Sequence, residues 1–318
     1  MYKISFVDFW SDFDYHDFIV YKILKERIVG TEIKVIPYTE KPDLMICSLF
    51  KQSPNEKFST LWETAGKPVT LLVSGENRFP DMNLYDYCIT CHDFDLWRRN
   101  FVLPYFMMED NFGNMMELRE ASKKYLKEKG ISPFERKYAG ALISNDFCAD
   151  PERKELLEYL IREKGLESSG MSCNTTGMTV PKTSTNTEFF RDYSFGAAFE
   201  NSIVDDYVTE KIVNVFAAYS IPIYFGTDTV SDYFPQRYFI NASDYENKED
   251  LLKSIDYLRK NEMEYMRVLD GFDLWYEHTG LPEYKKTISR LGNFLEHVVE
   301  GRKYNHEFGN IGLYFKNM

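Results

Sequence analysis

The chain has 318 residues, which is enough for two domains of about 150 residues each. Hydrophobic residues make up 44% of it, so each half can bury a core. The net charge of −12 argues against a nucleic-acid-binding surface, which needs an excess of Lys and Arg, although a few local cations are enough to hold a small phosphate-bearing ligand.

The first part of the chain, through residue 90, alternates between predicted strands and helices. Short apolar runs predict strands over 4–9, 32–36, 44–50, 69–73 and 85–90, and apolar spacing predicts a helix over 16–27. Cys88 and Cys91 form a CxxC pair at a strand end, where we expect no metal or redox role. Five scattered cysteines in a large chain predict free thiols in a reducing compartment.

The second part repeats the alternation after a charged segment at 109–136, which we interpret as an interdomain connection carrying an exposed helix over 117–129. Strands follow over 138–144, 195–199 and 221–225, and helices over 151–163, 208–219 and 248–260. Such alternation predicts α/β domains with parallel sheets. We divide the chain into an N-terminal domain (1–130), a C-terminal domain (131–285) and a terminal helix and tail (286–318), which we expect to pack back on the N-terminal domain.

The N-terminus does not resemble a secretory leader, because Asp8 falls too early and no small-residue cleavage site follows. The longest uncharged apolar run, 215–225, is interrupted by Ser220 and Pro222 and is too short for a membrane span. The sequence therefore predicts a cytoplasmic protein, or one at most peripheral to a membrane.

The most informative segment is 199–226, which contains the run FENSIVDDYVTEK. A strand ends at Phe199, a polar turn follows with Asp205 and Asp206 available as helix caps, and a buried helix leads into a second strand. The helix N-terminus then points at the carboxyl edge of the sheet, where ligands bind in open α/β folds. Free N–H groups and a partial positive charge suit that position to a phosphate.

Lys211 falls in the first turn of this helix, where a cation opposes the helix dipole by about 0.3–1 kcal/mol. A bound pyrophosphate would compensate for that cost. The alternative is an ion pair on the surface with Asp205, Asp206 or Glu210. The residues alone leave these two readings open.

The 199–226 segment closely resembles the signature of the α-1,3/4-fucosyltransferases, glycosyltransferase family 10. The stretch SGENRFPDMNLYDY at 74–87 is similar to the acceptor-domain motif of bacterial members. Ser144 and Asn145, with Arg153 eight residues later, resemble the start of the family's donor domain. These similarities cover most of residues 1–300.

The resemblance implies a GT-B fold, in which two Rossmann-like domains face each other across a cleft, the N-terminal one for the acceptor and the C-terminal one for GDP-fucose. It implies that Lys211 neutralises the diphosphate, that Glu210 and Tyr207 contact the ribose or the fucose, and that Asn201 binds near the phosphates. Asn145 and Arg153 complete the implied donor site. Taken alone, Arg153 is better explained as an ordinary surface arginine.

Glu76 matches the carboxylate proposed as the base in bacterial members. An inverting transfer needs one carboxylate to take the proton of the acceptor hydroxyl, and Glu76 follows a predicted strand. Its alternative role is to cap its own loop. Asp12, Asp14 and His16, near the first loop, are the rival bases.

One stretch departs from the family pattern, because Cys173 stands near the position of an arginine that reaches the diphosphate. Either Lys182 or Arg191 substitutes for that arginine, or the donor is bound more weakly or in a different arrangement. Two DxD sequences, at 12–14 and 93–95, arise readily by chance in an acidic chain. We therefore expect no metal site and no obligatory cofactor, with Mn²⁺ or Mg²⁺ at most modestly stimulatory.

The expected reaction is inverting transfer of fucose from GDP-fucose to the N-acetylglucosamine of a lactosamine- or lacto-N-tetraose-like glycan, as in Lewis-type oligosaccharide biosynthesis. Two alternatives stay open. One is a glycosyltransferase with another nucleotide-sugar donor, and the other is a non-catalytic protein that binds a nucleotide sugar or a glycan.

Overall fold

The computed structural model describes residues 1–28, 30–49, 55–94, 98–143, 149–171, 173–177 and 186–301. Within them the chain forms two compact units. Unit 1 comprises Met1–Met108 together with the chain from Lys286 onward, and unit 2 comprises Glu109–Lys285. Each unit is built around one parallel sheet, which confirms the predicted α/β class.

Unit 1 holds a six-stranded parallel sheet in the order β2-β1-β3-β4-β5-β6. Its strands are β1 (Tyr2–Val7), β2 (Ile33–Val35), β3 (Leu44–Cys47), β4 (Val69–Val73), β5 (Tyr87–Thr90) and β6 (Asn100–Val102). Helices α1 (Ile19–Arg27) and α2 (Asn55–Thr64) connect successive strands. The central strands β3, β4 and β5 are buried along their whole length, as their continuous apolar sequences predict. Helix α2 and the edge strand β6 were not predicted from the sequence.

Unit 2 holds a five-stranded parallel sheet in the order β11-β10-β9-β7-β8. Its strands are β7 (Lys137–Ile143), β8 (Glu167–Gly170), β9 (Tyr193–Phe199), β10 (Ile221–Phe225) and β11 (Ile240–Asn241). Its helices are α3 (Asp110–Gly113), α4 (Met115–Lys129), α5 (Pro151–Lys164), α6 (Asn186–Phe190), α7 (Glu210–Ala217), α8 (Val230–Tyr233), α9 (Lys248–Lys260) and α10 (Glu262–Trp275). A π-helical turn (Tyr276–Gly280) continues α10 into α11 (Leu281–Val299).

The interpretation of 109–136 as a connection with an exposed helix is wrong, because α4 belongs to the core of unit 2. Arg119 is fully buried there. It forms an ion pair with Asp273 and donates hydrogen bonds to the carbonyls of Phe216 and Leu269. The chain accordingly divides between Met108 and Glu109 and not near residue 130.

Helix α11 packs within unit 1 from Lys286 onward. Phe294 and His297 lie edge-on to Tyr87, with ring centroids 6.1 and 5.5 Å away. Arg27 donates to the carbonyl of Ser289 and pairs with Glu296 at 3.5 Å. The tail 302–318 lies outside the described residues. In the described part of the chain, no helix is both long and apolar enough to cross a bilayer.

Candidate active site

The connection from β9 to α7 is organised by Glu200, the residue that follows β9. Its side chain is fully buried. One carboxylate oxygen accepts the backbone N–H of Thr209 at 2.8 Å, and the other accepts the Thr209 hydroxyl at 2.7 Å and the Lys211 ammonium at 2.9 Å. A buried carboxylate is stable only with such donors, and because these donors belong to Thr209 and Lys211, Glu200 fixes the start of α7.

Lys211 makes its closer ion pair with buried Glu200, and Glu210, one of the three acids named as alternative partners, also lies within ion-pair distance. Its Nζ also donates to the Thr209 hydroxyl at 2.8 Å and lies 3.9 Å from Glu210. Burial lowers the pKa of Lys211, but the Glu200 and Glu210 carboxylates outweigh that effect and hold the pKa above its ordinary value. The side chain remains 25% exposed. A charged ammonium is therefore fixed at the helix N-terminus and still open to a ligand.

Helix α7 begins at Glu210 and ends at Ala217, a shorter span than the predicted 208–219. Thr209, and neither Asp205 nor Asp206, occupies the N-cap position. Asp206 adopts a left-handed backbone conformation with φ of 63°, and its carboxylate accepts the Tyr233 hydroxyl at 3.0 Å. The turn is thus tied to α8, and the first-turn N–H groups of α7 keep no partner within the helix itself.

Arg153 is only 2% exposed, so its interpretation as an ordinary surface arginine is wrong. Its guanidinium donates to the side-chain oxygen of Asn201, and the Asn201 carbonyl accepts the N–H of Asp150 at 2.8 Å. Asp150 caps α5 as predicted, by accepting the N–H of Glu152 at 2.9 Å. The structure therefore brings Arg153 and Asn201 together where α5 meets the β9–α7 connection.

Tyr207 and Tyr224 are buried near the Glu200–Lys211 pair. Tyr207 is 4% exposed and Tyr224 is fully buried. Burial, reinforced by the charge of Glu200, raises the pKa of Tyr224 well above its ordinary value, so it stays a neutral phenol. A Cβ on Gly226 would lie 2.4 Å from the Tyr224 hydroxyl and 2.9 Å from Glu200 Cγ. Only glycine fits there, which explains the glycine that ends this segment.

A cavity of about 740 Å³ lies at the carboxyl end of β10, in the size range of small-molecule sites. Its walls include loops that follow β10 and precede α9, which were not predicted from the sequence. Six acidic side chains and one lysine contribute to its lining, so most of the cavity suits groups that donate hydrogen bonds. The lining comprises Glu152, Glu155, Leu156, Ile203, Asp205, Phe225, Gly226, Thr227, Asp228, Ala242, Ser243, Tyr245, Glu246, Asn247, Lys248, Glu249 and Leu251.

Lys182 and Arg191 were expected to replace the family arginine near Cys173, and the structure describes only Arg191. Asn145, a further predicted donor-site residue, and Lys182 both lie outside the described residues. Arg191 precedes β9 at its amino end, where it donates to the Ser122 hydroxyl at 3.1 Å and lies 3.7 Å from Glu188. Arg191 is therefore at the wrong edge of the sheet, and its assignment to the diphosphate is incorrect.

In unit 1, Glu76 lies in the loop that follows β4 and is exposed. The Ser74 hydroxyl accepts the N–H of Glu76 at 3.3 Å, and the Ser74 side chain is buried. A Cβ on Gly75 would lie 2.2 Å from the ring of Tyr105, so this position requires glycine. The Ser74 hydroxyl and the close approach of Gly75 to Tyr105 fix this loop, so the Glu76 carboxylate is not needed as its cap.

Two exposed aromatic side chains belong to the same carboxyl edge of the unit 1 sheet. Trp10 follows β1 and is 39% exposed, and Phe79 follows β4 and is 58% exposed. Phe79 packs on Phe94 with ring centroids 4.7 Å apart. Such rings offer flat apolar faces at the edge of the sheet that also carries the Glu76 loop. The rival bases Asp12, Asp14 and His16 share the β1 loop, where Asp14 accepts the N–H of His16 at 2.9 Å.

In the described part of the chain, no three His, Cys, Asp or Glu side chains converge as a metal site would require. Cys88 lies in β5, and its thiol contacts the Asn100 side chain at 3.2 Å. Burial raises the pKa of the Cys88 thiol to about 12, so it carries no thiolate at neutral pH.

Comparison with known proteins identifies the family. The model described as "Glycosyltransferase family 10 (fucosyltransferase) C-term" matches residues 134–294, just over half of the chain. The chain belongs to glycosyltransferase family 10. The matched range contains all six donor-side residues predicted from the sequence, whereas Glu76 lies outside it.

The family-10 chain is similar to longer curated relatives. It is 25% identical to the Helicobacter pylori alpha-(1,3)-fucosyltransferase FucT over 92% of this chain and 66% of that protein. It is 32% identical to the human 4-galactosyl-N-acetylglucosaminide 3-alpha-L-fucosyltransferase 9 over 39% of this chain and 33% of that protein. The chain thus spans less than two thirds of the length of these relatives.

Solved structures share the fold. A crystal structure of an alpha1,3-fucosyltransferase matches 96% of this chain and 92% of its own with a TM-score of 0.75 and 22% identity. A second structure, with GDP-fucose, matches with a TM-score of 0.72. Anabaena HepE in complex with UDP and glucose matches with a TM-score of 0.54 at 8% identity.

The role of Glu200 in this family-10 site can be tested by substitution. We expect Glu200→Gln to lower the free energy of unfolding by about 3 kcal/mol, because it removes one partner of a buried ion pair. Glu210→Gln is the matched control and should cost less than about 1 kcal/mol, since Glu210 is partly exposed and farther from Lys211. Urea unfolding of the ligand-free proteins, followed by circular dichroism, measures both, and equal losses would contradict the assignment.

Proposed function

We propose that this protein is an inverting α-1,3-fucosyltransferase that uses GDP-fucose as donor. The observation that carries the proposal is the ammonium of Lys211, fixed by buried Glu200 at the N-terminus of α7. The family assignment and the similarity to named fucosyltransferases support this donor and this linkage. A GDP-fucose-bound structure with the same fold supports the donor as well.

The donor diphosphate would bind at the amino end of α7. First-turn N–H groups and the helix dipole attract an anion there, and Lys211 adds a full charge. Arg153, which holds Asn201, would supply a second cation in the first turn of α5. As GDP departs, these groups would stabilise the negative charge that develops on the leaving phosphate, which is how GT-B enzymes can dispense with a metal ion.

The nucleoside would occupy the acid-lined cavity beside this helix. Guanine presents an N1–H and an exocyclic amine, and ribose presents hydroxyls, all of which can donate to carboxylates. Uracil offers a single N–H donor, so the acidic lining favours a guanine nucleotide. In this arrangement Glu210 and Tyr207 would be available to the ribose or the fucose.

The acceptor reaction would use Glu76 as the base. Its carboxylate takes the proton of the acceptor hydroxyl while that oxygen forms a bond to C1 of fucose and the C1–O bond to GDP breaks. The electron pair leaves with GDP, and attack from the opposite face inverts the anomeric centre. The exposed rings of Trp10 and Phe79 would stack on the N-acetylglucosamine or galactose of a lactosamine- or lacto-N-tetraose-like acceptor.

A different nucleotide-sugar donor is the second candidate, because Anabaena HepE shares the fold and its structure holds UDP and glucose. A non-catalytic binding protein is the third, and the accessible Glu76 argues against it. The protein would act in the cytoplasm, in the synthesis of Lewis-type glycans.

Thermal-shift measurements with GDP, UDP and CMP distinguish the donors. We expect GDP to give the largest stabilisation and Lys211→Met to weaken GDP binding by about tenfold to a hundredfold, the loss of one charge-assisted contact to phosphate. Lys248→Met removes a lysine from the cavity lining without touching α7 and should have a smaller effect. Stabilisation by UDP alone would contradict a guanine donor.

Glu76→Gln tests the base. We expect transfer from GDP-fucose to lactosamine to fall by about a hundredfold or more while the Kd for GDP stays unchanged, because the amide cannot accept the proton. Glu40→Gln, an exposed acid in the same unit, is the control and should retain full turnover. Mass and linkage analysis of the product reports the reaction. If Glu76→Gln turned over normally, the base would have to be sought among Asp12, Asp14 and His16.

A further inference from the structure

A second cavity, of about 380 Å³, lies in unit 1 between α11 and the segment that leads into β6. Arg290, Asn293, Phe294 and His297 line it from α11. Their spacing of three, four and seven residues places them on one face of the helix. The remaining described lining residues are Arg98 and Phe101.

This cavity is separate from the Glu76 loop in the same unit. Arg98 precedes β6, whose residues Asn100 and Phe101 pair in parallel register with Cys88 and Ile89 of β5. Arg98 therefore lies at the amino ends of these strands, whereas Ser74–Glu76 follow the carboxyl end of β4. The two features occupy opposite edges of one sheet, and a ligand in this cavity would not be the acceptor at Glu76.

The lining is cationic in a chain of net charge −12. It offers two guanidinium groups, an imidazole and a carboxamide, and none of its described residues carries a carboxylate. The nearby acid of α11, Glu296, is engaged by Arg27 at 3.5 Å. A local excess of cationic donors attracts an anion.

His297 adds a second observation. Its Nε2 is buried and has no hydrogen-bond partner among the described residues. Its ring packs at 87° against Tyr87, which fixes the imidazole plane. A buried polar atom without a partner is costly, so a ligand that reaches Nε2 would remove that cost.

The floor of the cavity is aromatic, with the rings of Phe101 and Phe294 at a centroid distance of 5.5 Å. Guanidinium groups bind phosphate through paired N–H donors, and the aromatic floor accommodates an apolar body attached to it. We propose that this cavity binds the phosphate group of a phosphate ester, either a soluble one or a lipid headgroup.

The experiment uses the full chain saturated with GDP, so that the cations near α7 are already occupied. Calorimetric titration with inorganic phosphate tests the soluble source, and sedimentation with phosphatidylglycerol vesicles, against phosphatidylcholine vesicles, tests the lipid source. Arg290→Gln should weaken binding of the effective probe by about fivefold or more, since it removes one charged donor. Asn293→Asp, which adds a negative charge to the lining, should weaken it at least as much.

Arg290 and Asn293 are exposed on α11, so both variants should fold, and circular dichroism verifies this. Arg267→Gln is the matched control, because Arg267 is an exposed helical arginine of α10 paired with Glu264. Its binding should equal that of the unaltered chain. Binding of phosphate alone identifies a soluble ester, and binding of the anionic vesicles identifies a lipid. The proposal is overturned if neither probe binds, or if Arg290→Gln and Asn293→Asp bind as well as Arg267→Gln.

Discussion

The ion pair between Glu200 and Lys211 is the interaction on which the donor side of this molecule depends. A lysine in the first turn of a helix is unfavourable by itself, and a buried glutamate is more so. Together with Thr209 they form a closed set of hydrogen bonds that fixes the start of α7. The outcome is a cation placed where the helix dipole is also positive, a combination that an anionic ligand can stabilise.

Under the proposed function, this arrangement would allow an acidic chain to bind a nucleotide diphosphate. The acids are abundant in the cavity at the end of β10, where they can accept hydrogen bonds from a base and a ribose. Lys211 at α7 and Arg153, which is held on Asn201 at α5, are not among the residues that line this cavity. The proposed ligand would donate hydrogen bonds from its base and ribose to the acids, and its phosphates would lie at the cations.

Much of this fold could be predicted from the sequence, because hydrophobic periodicity and the residues that begin and end helices and strands are local signals. The segment 199–226 gave the strand–turn–helix–strand unit and placed Lys211 in the first helical turn, and Asp150 capped α5 as expected. The predictions that failed concerned tertiary contacts. The pairing of residues 200 and 211 depends on how the intervening turn folds, and the burial of Arg119 and Arg153 depends on carbonyls and side chains from distant elements. Helix α4 has the charged sequence of an exposed helix. Its Arg119 is nevertheless buried, because the groups that bind it come from distant parts of the chain.

A crystal structure of the protein with GDP is the sharpest test of the Lys211 site. We expect a diphosphate oxygen within about 3.2 Å of Lys211 Nζ and of a first-turn N–H of α7, with Glu200 still bonded to Thr209. A nucleotide bound with its phosphates away from this helix, and Lys211 bonded to Glu200 alone, would contradict it.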